Sequence, residues 1–140
     1  MRRVEFSITQ KQLDELRTLY PNMGKNSDVG KLAVEISKLY FLSINPSTTF
    51  VVNKNGIDIT TNTDGFVENY EIKGTADKNI SWNKLKVSSQ SCFNHLTTGM
   101  TLIRITNIGC TNMTIYFLRY KVDYELIPEP RWSVVQLRKK

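Results

Sequence analysis

The spacing of apolar residues changes at Thr48, and this change limits the possible folds more than any other feature of the sequence. Before it, apolar side chains recur at three- and four-residue intervals, which predicts one helix over 7–20 and another over 26–42. Ser7 and Gln10 have the spacing of a capping box, which places the start of the first helix at Ser7. After Thr48, apolar and polar residues alternate, as they do in strands.

Turn-forming residues divide the second part of the chain into strands. Asn55-Gly56 and Asp64-Gly65 tolerate positive φ and favour tight hairpin turns, so we expect three antiparallel strands between Thr48 and Thr75. A short strand at 85–87, a helix over 90–96 and strands over 100–108 and 113–120 follow. The order is helix, three-strand meander, helix and strands. This order predicts a mixed α/β or α+β fold with a central mixed sheet flanked by helices.

Length and charge indicate one domain with a polyanionic partner. The 140 residues suit a single domain, 1–140, made of an N-terminal helix (7–20), a core (27–120) and a basic tail (121–140). The net charge is +6, and residues 101–140 contribute seven basic against three acidic residues. Such a distribution is typical of nucleic-acid binding, although it also fits a surface charged for solubility.

Cysteine usage and hydropathy bear on the compartment. Two cysteines, Cys92 and Cys110, form neither a disulfide framework nor a zinc motif, which favours a reducing, cytoplasmic environment. No apolar run approaches the ~20 residues that span a bilayer. The basic start of the chain leads into no apolar stretch, so we predict no signal peptide and no membrane partner.

Two carboxylates and a lysine are the residues that point to chemistry. Strand alternation places Asp58 on the face opposite its apolar neighbours, and it places Glu71 and Lys73 together on one face of the next strand. If the two strands pair as a hairpin, the three side chains converge. Two carboxylates with a backbone carbonyl suit Mg²⁺ or Mn²⁺, and a nearby lysine suits the activation of water for phosphodiester hydrolysis. The alternative is a solvated strand face with cross-strand ion pairs.

Asp58 and Glu71-x-Lys73, following a helix, resemble the PD-(D/E)xK (restriction-endonuclease-like) nuclease superfamily. The longer block, Gly56-Ile-Asp-Ile, Tyr-Glu-Ile-Lys-Gly-Thr75 and Leu-Lys-Val-Ser-Ser-Gln90, is more particularly similar to the C-terminal domain of NO VEIN-type proteins. The resemblance covers roughly residues 27–120. It implies that Asp58, Glu71 and the Ile72 carbonyl bind the metal, that Lys73 is catalytic, and that Glu35 of the core helix joins them.

The resulting prediction is a metal-dependent DNA endonuclease, acting as a homodimer in restriction or defence. A Holliday-junction resolvase is a close variant, and a non-catalytic nucleic-acid-binding module or a protein-interaction domain are the alternatives from other classes. Candidate DNA contacts are Arg104, Arg119, Lys121 and Gln90. Trp82 and Trp132 fit either base stacking or a place in the core.

Overall fold

The computed structural model describes residues 1–22, 25–130, 132 and 134–137. Its elements, in chain order, are β1 (Arg2–Ser7), α1 (Gln10–Leu19), α2 (Asn26–Ile44), β2 (Thr49–Lys54), β3 (Ile57–Thr63), β4 (Phe66–Gly74), a 3₁₀ helix (Trp82–Lys84), α3 (Gln90–Thr97), β5 (Thr101–Thr106) and β6 (Asn112–Leu118). Within this part of the chain, no helix has the length and apolar character needed to cross a membrane.

One six-stranded sheet organises the molecule, in the order β1-β6-β5-β4-β3-β2. Strands β4 and β5 are parallel, and every other neighbouring pair is antiparallel. The parallel pair requires a crossover, and the chain between the two strands contains α3. A mixed sheet with helices confirms the mixed α+β class predicted from the sequence.

Alternation in the central strands gives the sheet two apolar faces. On one face, Ile103 of β5 belongs to the same core as Ile36 of α2, and α1 packs there as well. On the other face, Leu102 packs with Leu96 of α3. Helices therefore cover both faces of the sheet, and every residue of β5 is buried.

The N-cap of the first helix lies two residues later than predicted, at Thr9. Both Ser7-x-x-Gln10 and Thr9-x-x-Gln12 have capping-box spacing, and the second pair forms the box. Thr9 Oγ1 accepts from the Gln12 backbone N–H at 3.1 Å, and Gln12 Oε1 accepts from the Thr9 N–H at 2.9 Å. Ser7 instead ends β1, a strand that sequence reasoning missed, because β1 pairs with the distant β6.

The second helix is present, and its N-cap residue has no capping side chain. Helix α2 covers Asn26–Ile44, and its N-cap residue is Lys25, whose side chain makes no capping hydrogen bond. The Asp28 carboxylate accepts from the backbone N–H of Asn22 at 2.9 Å and so holds the preceding chain against the helix. The segment between the two predicted helices, 21–25, lies partly outside the described residues.

The predicted strands are confirmed, except the one at 85–87. Asn55 and Gly56 have φ of 57° and 74°, and Asp64 and Gly65 have φ of 54° and 88°, as two tight hairpin turns require. At 85–87 the chain leaves the 3₁₀ helix and pairs with no strand of the sheet. Its apolar side chains instead pack with the α3 core, which explains an alternating pattern without a strand.

Gly74, the last residue of β4, allows α2 to lie against the end of that strand. A Cβ atom at this position would stand 2.8 Å from the Ala33 Cβ and 3.2 Å from the Val29 carbonyl oxygen, and would overlap Ile108. No side chain fits in this space without displacing backbone or core. The first turns of α2 are thereby held close to the carboxyl end of β4.

We expect Gly74→Ala to lower the free energy of unfolding by about 1–3 kcal/mol, because it overpacks a filled contact. Urea denaturation measures the change. Gly30→Ala is the matched control, because a Cβ at Gly30, also on α2, meets no atom within 4 Å. That substitution should leave stability unchanged or raise it by up to about 1 kcal/mol. Equal stability of Gly74→Ala and wild type would contradict the close packing.

Candidate active site

Asp58, Glu71 and Lys73 line one cleft of about 870 Å³. One wall of the cleft is the beginning of α2, and the other is the loop that follows β4. The predicted face of the β3–β4 hairpin is therefore the floor of a concave site. A plain solvated strand face would show no such walls.

Asp58 lies where β3 and β4 separate. Their ladder runs up to the pair Ile59–Tyr70 and stops there. Continuing the register would place Asp58 opposite Glu71, but the Asp58 carboxylate instead accepts the backbone N–H of Ile72, with Oδ2 at 2.8 Å. The side chain of Asp58 thus replaces a backbone partner and is fixed against β4.

The Ile72 carbonyl belongs to the same edge of β4. In a strand, the N–H and C=O of one residue point towards the same neighbouring strand. Since the N–H of Ile72 meets Asp58, its carbonyl oxygen faces the space opened between the two strands. The Ile72 carbonyl and the Asp58 carboxylate therefore border the same gap between the two strands, and Glu71 is the neighbouring residue on β4.

The position of Glu71 disfavours the negatively charged form of its carboxyl group. It is 5% exposed, and burial raises its pKa to about 7, with a hydrogen bond to the Asp58 side chain and the charge of Asp58 as further causes. The Cys92 thiol of α3 also hydrogen-bonds Glu71 Oε2 and acts in the opposite direction on this pKa. Two carboxyl groups in contact with each other, one of them buried, are typical of sites that bind a cation or a proton.

Lys73 completes the group on the same face of β4. It is half-buried, and its positive charge lowers the pKa of both Glu71 and Cys92. Among the described residues it forms no direct ion pair, in contrast to Lys84 with Asp77 at 2.8 Å. Its ammonium group is therefore placed to act on whatever enters the cleft.

The donor set fits a hard cation. Mg²⁺ is typically held by one or two carboxylates and keeps several waters, so Asp58, Glu71 and one carbonyl oxygen are sufficient. A cation between the carboxyl groups would also offset the contribution that the charge of Asp58 makes, after burial, to the raised pKa of Glu71. No group of three His, Cys, Asp or Glu side chains suited to a metal occurs in the described part of the chain.

Basic residues that sequence analysis did not single out surround the site. Lys31 of α2 lines the cleft from one side, and Lys84 and Lys86 line it from the other. Asp77 is the further acidic residue there, and its salt bridge with Lys84 and a hydrogen bond from Ser81 lower its pKa to about 2. Beyond the two carboxylates, the lining of the cleft is thus positively charged. Sequence alone does not indicate this, because Lys84 and Lys86 reach the cleft only through the folded loop after β4.

Arg104 has a structural position. It is 3% exposed, and its guanidinium donates to the carbonyl oxygens of Ile80 at 2.9 Å and Gly74 at 3.2 Å. These bonds tie the loop after β4 to the end of the strand. Arg104 borders the cleft, and its guanidinium hydrogen bonds serve to anchor this loop.

The other predicted residues lie away from the cleft lining. Glu35 forms an ion pair with Lys38 at 3.5 Å on α2, and the structure does not bring its carboxylate to the cleft wall. Arg119 borders a separate surface pocket, and Lys121 pairs with Glu125 at 2.9 Å. Gln90, at the start of α3, hydrogen-bonds Asn94. Of the basic residues predicted in the tail, Arg131, Arg138, Lys139 and Lys140 lie outside the described residues.

Cys92 is the site residue that sequence reasoning missed, and Tyr124 lies with Lys73 in a small adjoining cavity. Burial and the neighbouring Glu71 raise the pKa of the Cys92 thiol to about 12, so it remains a hydrogen-bond donor. Burial also raises the pKa of Tyr124 to about 12, and its hydroxyl has no hydrogen-bond partner among the described residues. Helical spacing with Leu96 signals that Cys92 is buried, but nothing local indicates that it faces Glu71.

No protein-family model matches this sequence, and neither a curated protein nor a solved structure is significantly similar to it. The function must therefore be inferred from the cleft itself, from the two carboxyl groups, the lysine and the charges around them.

Proposed function

We propose that the protein is a metal-dependent endonuclease that hydrolyses DNA phosphodiester bonds, with a restriction-endonuclease-like core of the PD-(D/E)xK type. One observation carries the proposal: Asp58, buried Glu71 and Lys73 meet in one cleft whose outer surface is basic. Hydrolysis of a phosphodiester needs oxygen ligands for a cation, a group that orients the attacking water, and positive charge for the phosphates.

Each residue has a part in the proposed reaction. Asp58, Glu71 and the Ile72 carbonyl hold the ion, and the bond from the Ile72 N–H keeps the Asp58 carboxylate in place. When bound, Mg²⁺ would polarise a phosphate oxygen and lower the pKa of a water ligand. The Lys73 ammonium group orients the attacking water and stabilises the negative charge that develops on the phosphate, and the proton of that water passes to the surrounding solvent. Lys31 on the α2 wall of the cleft binds a phosphate oxygen, whereas Lys86 on the other side is paired with Glu129.

The chain order supports the family proposed, including the likeness to NO VEIN-type domains. Helix α2 precedes the meander β2–β3–β4, α3 follows, and β5 lies parallel to β4. Asp58 and Glu71-x-Lys73 occupy neighbouring strands of that meander. Because Gly74 has no side chain, helix α2 lies close to the end of β4. The metal-binding residues would therefore be at the centre of the sheet.

The biological role that we propose is restriction or defence in the cytoplasm, with junction resolution as a variant. Cys92 and Cys110 are both free thiols, as suits a reducing compartment. We propose a homodimer, because one site cuts one strand and a two-fold pair matches the symmetry of duplex DNA. Light scattering of the protein with and without DNA measures this assembly.

Cleavage of plasmid and of synthetic four-way junctions in Mg²⁺ or Mn²⁺ tests the activity. We expect metal-dependent nicking or linearisation that EDTA stops, and loss of cleavage in Asp58→Asn with DNA binding retained. Preference for the junction over the plasmid would assign the resolvase variant. Absence of cleavage of either substrate with both metals would refute the nuclease proposal.

A non-catalytic nucleic-acid-binding module is the second candidate, and two contacts favour it. The Cys92 thiol hydrogen-bonds one oxygen of Glu71, and the Ile72 N–H hydrogen-bonds one oxygen of Asp58, so each carboxyl group already has a protein donor. In such a module, Glu71 keeps its proton and its hydrogen bonds to Asp58 and Cys92, no ion binds, and the basic cleft binds DNA alone. Salt-dependent DNA binding without metal-dependent cleavage is its expected result.

A further inference from the structure

The loop between β4 and α3 is held in one shape by a dense set of hydrogen bonds. Asp77 Oδ2 accepts from Ser81 Oγ at 2.6 Å and from Lys84 Nζ at 2.8 Å, and the Asp77 carbonyl accepts from the Asn107 N–H at 2.7 Å. Arg104 binds the same loop through the Ile80 carbonyl. Ser81 has a φ of +53°, a left-handed conformation that persists only where surrounding contacts impose it.

This fixed loop presents a large aromatic side chain to solvent. Trp82, directly after the strained residue, is 47% exposed, and Phe93 of α3 is 40% exposed. Both line a groove of about 560 Å³ beside the catalytic cleft. An anchored loop that keeps aromatic surface exposed next to a cleft is typical of a binding site rather than of a core.

The groove is continuous with the cleft that holds Asp58 and Glu71. Lys86 and Ser88 line both spaces, and Lys73 and Trp82 line the same small cavity of about 100 Å³ between them. A DNA strand whose phosphate lies near Lys73 therefore has its neighbouring nucleotide within reach of Trp82.

The groove offers mainly apolar and aromatic surface, and its carboxylates are balanced by lysines. Glu125 pairs with Lys121 at 2.9 Å, and Glu129 forms an ion pair with Lys86, which lines both the groove and the cleft. The rest of the lining includes the side chains of Trp82, Phe93 and Leu126. Aromatic side chains stack on the flat faces of any base.

We infer that this groove binds an unpaired base by stacking on Trp82, so that the substrate is DNA with a single-stranded segment next to the cleaved bond. The inference rests on the proposed function, because it places the scissile phosphate at Lys73. A base in a continuous duplex is stacked on its neighbours and reaches such a groove only after unstacking, which costs a few kcal/mol. Forks, unpaired arms and open junctions supply the base without that cost.

Tryptophan fluorescence tests the groove directly, because the chain has only Trp82 and Trp132. A Trp132→Phe background leaves Trp82 as the only tryptophan, and EDTA keeps the DNA intact. We expect a short oligothymidylate, or a duplex with an unpaired arm, to quench Trp82 emission, and a blunt duplex of the same length to leave it unchanged. Equal emission with all three DNAs would overturn the inference.

Binding measurements on variants provide the second test. Trp82→Ala should weaken binding of the armed duplex by about ten-fold while leaving that of the blunt duplex unchanged, since one stacked base is lost. Trp82→Phe should restore most of the affinity, and Phe66→Ala is the control, because Phe66 is 68% exposed on the β3–β4 hairpin. Unchanged affinity of Trp82→Ala for the armed duplex would overturn the inference.

The outcomes separate this inference from the proposed nuclease activity. Quenching by unpaired DNA without any metal-dependent cleavage supports the groove and refutes the nuclease. Cleavage of a blunt duplex as fast as of an armed one, without quenching, refutes the groove alone. A change in Trp82 emission with protein concentration and no DNA would assign the groove to a second copy of the chain, and would also refute it.

Discussion

Lys73→Ala should reduce the rate of Mg²⁺-dependent DNA cleavage by about 100- to 1,000-fold, the range expected when one positioned donor to the developing charge is removed. Lys73 is half-buried beside Glu71 and forms no direct ion pair among the described residues. Its ammonium group is therefore available to the attacking water. The measurement is the single-turnover rate at saturating DNA, together with the dissociation constant in EDTA.

Lys31→Ala is the matched control for this variant. It removes one positive charge from the same cleft, but from the wall formed by α2. We expect it to weaken DNA binding and to reduce the salt dependence of binding by about one counterion, with little change in the single-turnover rate. Lys73→Arg separates charge from geometry, because arginine keeps the positive charge but carries it on a larger, planar group. Cleavage by Lys73→Ala close to the wild-type rate would refute the assignment.

Glu71→Gln should stabilise the metal-free protein at pH 8 and abolish cleavage. The pKa of Glu71 is about 7 in the folded protein against an ordinary value of 4.5, so the folded state retains a proton that the unfolded state has lost. Stability therefore falls as pH rises from about 4.5 to about 7 and stays low above this range. Glutamine has the shape of the carboxyl group without the charge, and should recover on the order of 2–3 kcal/mol at pH 8.

Urea denaturation in EDTA at pH 5 and pH 8 measures this difference. The gain from Glu71→Gln should be small at pH 5 and large at pH 8, whereas Glu68→Gln, on the same strand, should keep the wild-type pH dependence. Mg²⁺ at about 100 times its dissociation constant should then stabilise the wild type by about 2.7 kcal/mol and leave Glu71→Gln unchanged. An identical pH dependence of stability in wild type and Glu71→Gln would show that folding does not raise the pKa of the Glu71 carboxyl group.

Local pattern was sufficient to place the carboxyl pair. Asp58 and Glu71 belong to one hairpin, whose tight turn at Asp64-Gly65 fixes which residues face each other. Alternation then puts Lys73 on the same face as Glu71. All of this information lies within about one hairpin of sequence, so it could be predicted without knowledge of the tertiary fold.

Contacts between distant parts of the chain could not be predicted in the same way. Strand β1 forms because it pairs with β6, which is distant in the sequence. Local spacing alone predicts Ser7 to be a helix cap, because Ser7 and Gln10 have the same capping-box spacing as Thr9 and Gln12. The Cys92 thiol reaches Glu71 only because α3 packs on the second face of the sheet. Similarly, the loop after β4 takes its shape from Arg104, a residue on the next strand of the sheet.

The separation of β3 and β4 beyond Ile59–Tyr70 makes the site independent of the length of the hairpin arm. Removing or adding one cross-strand pair, such as Thr61 with Glu68, would change the chain distance between Asp58 and Glu71 by two residues and leave them opposite each other. A single-residue insertion in one arm would turn one of the carboxylates to the other face. Relatives of this chain are therefore expected to vary in that spacing by even numbers, so a search with a fixed spacing would overlook them.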